Sequence, residues 1–594
     1  MRLRRPRAYH HRGRVEIIML FASVFGVALT FFYFISSALP NLWAGNRTTL
    51  PLPAGTVSSD GRLGAVASVS KTCSKVGTDI IKSGGNAIDA AVAAQFCLGV
   101  VAPNLTGLGG GGFALVRSRN GSYDFVDFRE AAPAASSEDM FEKNPNSSLE
   151  GGLASGIPGE IRGLEYLHTT YGSLPWSHLL QPAIQLARFG HVVTKDLDVA
   201  MDTYAASGFL VQDPSWAVDF APNGTRLHEG DLLTRKRYGE LLQSIANDGP
   251  DAFYTGKSAA AIVQALKATG GIMTTTDLKE YSVTIREPLS VDYRGFKIIS
   301  GGAPSSGAVV LQVMKTVEGY PDFGKLDAID LNTHRLDEAI RFGYGARTLF
   351  GDPSFVGNVT TFEHGMLRNS TIVKIRGRIS DSHTLPVSDY NPLGLESIET
   401  PGTSHLSVAD GGGMAIALTS TINLDFGSKI MVPETGLIMN NEMDDFSSPN
   451  STNSFGYIPS PENFIRPGKR PQSSMAPAIV EFLSNRTLYF VVGADGGSRI
   501  ITAVIQALWH VLDHNMTTLE ALGAPRFHDQ LVPDQMSFQP SYSNETIRYL
   551  QARGHNITWE DNGQSDAHAL RRLSGGVFEA AADPRLKNSG GLTV

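Results

Sequence analysis

Hydrophobic and polar positions along this chain fall into two textures. Up to about residue 400, apolar residues recur mostly at helical spacing; beyond it they alternate, as in strands. Helices are predicted over Val76–Lys82 and over the alanine-rich stretch Ala87–Val101. A glycine-rich run, TGLGGGG at 106–112, separates them from FALVRSR and YDFVDFRE, which flank Asn120-Gly121 and predict a β-hairpin. From 150 to 400, helical stretches (LEYLHTTYG, HLLQPAIQLARFG, IVQALKATGG, THRLDEAIRFGYGARTLFG) alternate with turn-rich segments. After 400 come HLSVAD, MAIALTSTINL and LYFVVGA, then a helix near ITAVIQALWHVLDH.

Gly107, Gly109 and Gly112 fit G-x-G-x-x-G, and Asp127 follows at the spacing of a dinucleotide fingerprint. The order is reversed, however. A helix precedes these glycines and a strand follows, so no helix N-terminus faces a pyrophosphate. The run is read as a tight connection between layers, and no cofactor is expected.

The N-terminus changes the picture most. Arg2, Arg4, Arg5, Arg7, Arg12 and Arg14 precede Ile17–Leu39, which carries no charge. About 20 apolar residues span a bilayer as a helix, and arginines ahead of the segment place the tail in the cytosol. A cleaved signal peptide is the alternative; its apolar region is shorter, about 7–15 residues. The length favours a retained anchor. The expected organisation is a cytosolic tail (1–14), a transmembrane anchor (15–39), a stalk (40–62) and a lumenal or extracellular body. This is a type II arrangement in the plasma membrane or the vacuolar membrane. Twelve N-x-S/T sequons agree with that side: Asn46, Asn104, Asn120, Asn146, Asn223, Asn358, Asn369, Asn450, Asn485, Asn515, Asn544 and Asn556. The two cysteines, Cys73 and Cys97, have the option of one disulfide in an oxidising compartment. So few thiols and no close histidine cluster argue against a metal site. The 594 residues carry a formal charge of -8, which argues against nucleic acid as a partner.

The richest chemistry lies at Pro401-Gly402-Thr403-Ser404-His405. Two alternating runs around Gly411-Gly412-Gly413 form a hairpin, and pairing Asp410 with Met414 sets Thr403 opposite Thr421. Spacing alone favours an ordinary Thr–Thr pair in a sheet. A threonine hydroxyl needs a base, and a free amine on the same residue serves as one. Thr403 would gain that amine if its own hydroxyl attacked the Gly402 carbonyl and the ester were hydrolysed. Gly402 adds little bulk there, and Pro401 restricts the preceding backbone.

The run GTSHLSVAD, TSTINLDFGSKI, GLIMNNEMDDFS resembles the nucleophile region of the γ-glutamyl transferases, a family of N-terminal-nucleophile hydrolases. GGNAIDAAVAA, GLGGGGF, DFREAAP, IPGEIRGL, YGSLPW, PGKRPQSSMAP, VVGADGGSRI, PRFHDQ and the closing ADPR extend the likeness over nearly the whole ectodomain. The resemblance implies an α+β fold, a four-layer αββα sandwich, cut between Gly402 and Thr403 into a large subunit (63–402) and a small catalytic subunit (403–594). It makes Thr403 the nucleophile, Thr421 the residue that orients it, and Gly496 and Gly497 the oxyanion-hole pair. Arg129, Ser473 and Ser474 match positions that hold an α-carboxylate; Asn423, Glu442 and Asp445 match those that hold an α-ammonium. Cys73 and Cys97 match the family's disulfide pair. The implied partners are glutathione, its conjugates and other γ-glutamyl compounds, with amino acids or dipeptides as acceptors.

Asp425 departs from the pattern, standing where some relatives place an aromatic near the pocket. Two rival functions remain: an acylase for glutaryl or other acyl amides, and a non-catalytic surface glycoprotein. The first lacks a substrate ammonium for Asn423, Glu442 and Asp445. The second would be expected to have lost Thr403, Thr421 or the glycine pair, and all are present.

Overall fold

The computed structural model describes residues 61–396, 402–449, 456 and 458–594. The expected tail, anchor, most of the stalk, Pro401, Asn46 and Asn450 lie outside the described residues. Among the described residues no helix is long and apolar enough to cross a membrane.

Two antiparallel sheets form the centre. In chain order the strands are β1 (Gly64–Ser68), β2 (Gly111–Arg117), β3 (Tyr123–Asp127), β4 (Thr284–Arg286), β5 (Leu289–Tyr293), β6 (Phe296–Ser300), β7 (Ser404–Asp410), β8 (Ala415–Thr421), β9 (Ala478–Phe482), β10 (Leu488–Ala494), β11 (Ala567–Arg572), β12 (Phe578–Ala582) and β13 (Gly590–Thr593). The first sheet runs β13-β1-β7-β8-β2-β3-β4, the second β12-β11-β10-β9-β6-β5. Strands from before and after residue 402 therefore alternate within one sheet: β1 pairs with β13 on one side and β7 on the other. The expected large and small subunits are not separate domains.

Period-two alternation sorts the side chains of the first sheet. Val66, Val116, Leu406, Val408, Ile416 and Leu418 face an outer helical layer that includes α1 (Lys71–Lys82) and α2 (Ala87–Val101). Ala65, Phe113, Leu115, Ala409, Ala415 and Ala417 face the second sheet, whose Ile298, Val480, Phe490 and Val492 meet them. Beyond the second sheet lie α3 (Gly307–Val317), α4 (Ile329–Arg347) and α5 (Arg499–Leu512). The four-layer α+β arrangement is the expected one.

Local expectations fare unevenly. α2 has the expected bounds and starts at a capping box between Asn86 and Asp89. α1 begins earlier than expected, because the Ser70 hydroxyl caps it by accepting from Cys73 N at 3.4 Å. The β2–β3 hairpin forms around the Asn-Gly turn. The β5–β6 hairpin, within a region read as helical and turn-rich, was not anticipated; its turn residues Arg294 and Gly295 have φ of 46° and 86°. The glycine run is a close packing point. A Cβ at Gly109 would lie 2.0 Å from the Ile438 carbonyl oxygen, and one at Gly112 2.1 Å from that of Thr419. Cys73 and Cys97 form a disulfide between α1 and α2.

Nine of the ten described sequon asparagines are exposed. Asn104 is the correction: it is 6% exposed, and its amide donates to Asp425 Oδ1 at 2.8 Å. A glycan there would have to break that bond and leave a buried carboxylate unpartnered.

Candidate active site

The β7–β8 hairpin positions the nucleophile candidate. Asp410 N donates to the Met414 carbonyl at 3.0 Å, and the ladder ends at Ser404 opposite Ser420. This is the expected register. Continuing it one step sets Thr403 opposite Thr421, on the parity that faces the second sheet. Both line a small internal pocket with Arg129, Asn423, Glu442, Asp445, Ser473, Ser474 and Gly497. Gly496, next to Gly497, lines a larger outer cleft of about 410 Å³ that Gly402 and Thr403 also border.

The backbone at the expected cleavage point is unusual. Gly402 has φ of 102° and Thr403 φ of 134°. A Cβ at Gly402 would lie 1.8 Å from the Asn423 carbonyl oxygen, so only glycine fits. A threonine in this region carries strain of roughly 1–3 kcal/mol. Gly496 and Gly497 also take positive φ, 96° and 59°, as the chain turns into α5.

Arg129 follows β3, its amide held by Asp127 Oδ1 at 3.0 Å and its carbonyl by the Tyr281 hydroxyl at 2.7 Å. Its guanidinium is buried and ion-paired to both Glu442 and Asp445. Asn423 N donates to Thr421 Oγ1 at 2.8 Å, which ties together two of the expected site residues. Ser473 is fixed through its amide, which donates to the Pro304 carbonyl at 2.8 Å.

The charges in this pocket are unbalanced. Burial alone would lower the Arg129 pKa, but Glu442, Asp445 and Glu130 together raise it above the ordinary guanidinium value. Burial pushes the Glu442 carboxyl well up; Arg129 opposes this, while Glu130 and Asp445 add to it. Burial raises Asp445 as well. Glu130 is pushed up to about 8, again by burial. Two guanidinium groups bear on three buried carboxyl groups, and Arg347 bears on Asp445 alone, so a further cation is favoured there. A ligand with a carboxylate and an ammonium on one carbon meets both needs: the carboxylate on Arg129, the ammonium on Glu442 and Asp445.

Two residues escaped the sequence reading. Glu130 is adjacent to Arg129, and that adjacency was the available signal. Arg347, at the end of α4, donates to Ser474 Oγ and to Ser306 Oγ, both at 2.9 Å. Nothing in the local sequence marks it. Asp425, the departure from the family pattern, lines the outer cleft with Asn104, and burial raises its pKa.

A model of the gamma-glutamyltranspeptidase family matches residues 73–592. A glutathione hydrolase proenzyme from Arthroderma benhamiae is 50% identical over 95% of this chain and 97% of its own. One from Escherichia coli is 38% identical, covering 88% and 90%. Among solved structures, a cephalosporin acylase from Bacillus halodurans superposes with a TM-score of 0.78 at 25% identity, over 92% of this chain and 98% of that one. The Helicobacter pylori gamma-glutamyltranspeptidase gives 0.51 at 34% identity, over 57% and 96%. With its hairpin threonine, its doubly charged pocket and relatives matched nearly end to end, the chain belongs to the gamma-glutamyltranspeptidase family.

Proposed function

We propose that the chain is a self-processing glutathione hydrolase and γ-glutamyltransferase whose nucleophile is Thr403. The observation that carries this reading is the internal pocket that gathers Thr403, Arg129, Glu442 and Asp445. In the precursor the Thr403 hydroxyl attacks the Gly402 carbonyl, the amide shifts to an ester, and water releases a Thr403 N-terminus. The new amine takes the hydroxyl proton as the oxygen attacks the γ-glutamyl carbonyl. Thr421 orients that hydroxyl, and the Gly496 and Gly497 amides stabilise the oxyanion. The departing amine takes the proton. Water, an amino acid or a dipeptide then accepts the glutamyl group from the ester.

Arg129, Ser473 and Ser474 hold the substrate α-carboxylate; Asn423, Glu442 and Asp445 hold the α-ammonium. The acylase reading gains from the structural likeness to a cephalosporin acylase. The excess of buried carboxylates beside Arg129 favours the γ-glutamyl substrate, because an acyl group without an ammonium leaves them uncompensated. The uncharged stretch Ile17–Leu39 supports a type II anchor with the catalytic body lumenal or extracellular.

N-terminal sequencing and intact mass of the wild-type chain beside Thr403→Ala test the mechanism. A fragment beginning at Thr403 in the wild type, absent from the variant, is expected. An uncut wild-type chain that still hydrolyses glutathione would overturn it.

A further inference from the structure

His334 and Glu338 lie one turn apart on α4, and so on one face of it. His555 reaches them from the turn after the helix Asn544–Gln551, 221 residues further along the chain. One ligand atom from each of the three falls within 4.8 Å of the others, and all three residues are buried. No local pattern marks this cluster, since the histidines are 221 residues apart in the chain.

Two of the three side chains already have their second polar atom hydrogen-bonded. His334 Nε2 donates to the Ser380 carbonyl at 2.6 Å, which places its proton there and turns the Nδ1 lone pair inward. His555 Nδ1 lies 3.1 Å from Asp337 Oδ2 without making a hydrogen bond to it, so both are buried polar atoms without a partner. The Tyr390 hydroxyl donates to Glu338 Oε2 at 2.8 Å. His334 Nδ1 and His555 Nε2 share a hydrogen bond of 2.7 Å, and Glu338 Oε1 is buried without a hydrogen-bond partner. Arg341, one turn further along α4, is committed to Asp529 and Asp534 at 2.9 and 2.8 Å, and so is held by other carboxylates.

An imidazole whose far nitrogen donates to a carbonyl, as in His334, beside a carboxylate that is itself hydrogen-bonded, as in Glu338, is the arrangement that surrounds metal ligands, and His555 Nδ1 has a carboxylate within 3.1 Å to turn to. We propose that His334, Glu338 and His555 form a binding site for a divalent transition metal, zinc fitting the donor set best, with water as the fourth ligand. Zinc–nitrogen bonds of about 2.0–2.1 Å at a tetrahedral angle need the two nitrogens about 3.4 Å apart. The rings would therefore separate by roughly 0.7 Å from their 2.7 Å contact.

The site has a structural consequence that rests on the processing reading above. His334 and Glu338 precede residue 402 and His555 follows it, so the ion would staple the two pieces of the cut chain.

The test is titration of the full chain, stripped with a chelator, with Zn²⁺ against a colorimetric competitor and with Co²⁺ followed by visible absorption. About one equivalent of Zn²⁺ per chain and a four-coordinate Co²⁺ spectrum are expected, both lost in Glu338→Gln and His555→Gln. Tyr390→Phe should keep the stoichiometry and weaken binding about 10–100-fold. Glutathione hydrolysis by the metal-free variants reports their folding. The Co²⁺ spectrum of the wild type stands without them. Absence of stoichiometric binding in the wild type, or equal binding by the two ligand variants, would overturn the proposal and leave a hydrogen-bonded histidine pair. Repeating the titration on the uncut Thr403→Ala chain separates failure of the metal site from failure of processing: binding there, without a fragment, supports the site and removes the staple.

Discussion

Asp445→Asn isolates the charge logic of the internal pocket. The change keeps the shape of the side chain and removes one of the two carboxylates paired with Arg129. A hydrogen bond to a charged group contributes about 1.5–3 kcal/mol, and each 1.4 kcal/mol is tenfold in rate. Glu442 remains to hold the substrate ammonium, so the lower end applies. The kcat/KM for a γ-glutamyl anilide should fall roughly 10–30-fold from this contact alone. A glutaryl anilide carries the same carboxylate and no ammonium. Any loss that comes from misplacing Arg129 strikes both substrates equally. The ratio of the two kcat/KM values is therefore the readout, and it should drop by the same roughly 10–30-fold in Asp445→Asn. Equal losses on both substrates would refute the assignment of Asp445 to the ammonium and leave it as a clamp for Arg129.

Three further outcomes are expected. Gly402→Ala places a methyl 1.8 Å from the Asn423 carbonyl oxygen at a φ of 102°, so autocleavage, followed on denaturing gels, should be blocked or slowed more than tenfold; normal processing would show that the backbone there is not held. Glu160, buried and accepting from Ser420 Oγ at 2.7 Å, is raised by burial to about 7, so its protonated form favours the folded chain. That stability is complete below the ordinary carboxyl pKa and is lost as pH rises through 7, so Glu160→Gln should flatten the decline of melting temperature between pH 4.5 and 7. Replacing Cys73 and Cys97 by alanine opens a loop with a sequence separation of 24 and should cost about 3.5 kcal/mol on the loop-entropy relation, measured by urea unfolding.

The hairpin register was legible because alternation and a three-glycine loop leave one in-phase pairing; it led directly to Thr403 opposite Thr421. The charged pocket was legible only through family resemblance. Alone, Glu442 and Asp445 in NEMDDF read as solvated acids, and their burial depends on Arg129, more than 300 residues earlier. Arg347 and the His334–His555 pair were illegible for the same reason: their partners are distant in the chain, and no local periodicity encodes a contact made by tertiary packing. The β5–β6 hairpin was missed where a short, half-exposed alternation lies among helices.

The alternation of β1 and β2 with β7 and β8 in one sheet has a genetic consequence. A cut at residue 402 leaves β1 hydrogen-bonded on both edges to strands of the other fragment, so the fragments part only if the whole sheet melts. Once matured, two molecules cannot trade halves. A cell expressing one allele damaged in the first half and another in the second should therefore gain no activity from mixing mature enzymes. Complementation would have to occur between nascent chains, before either sheet closes.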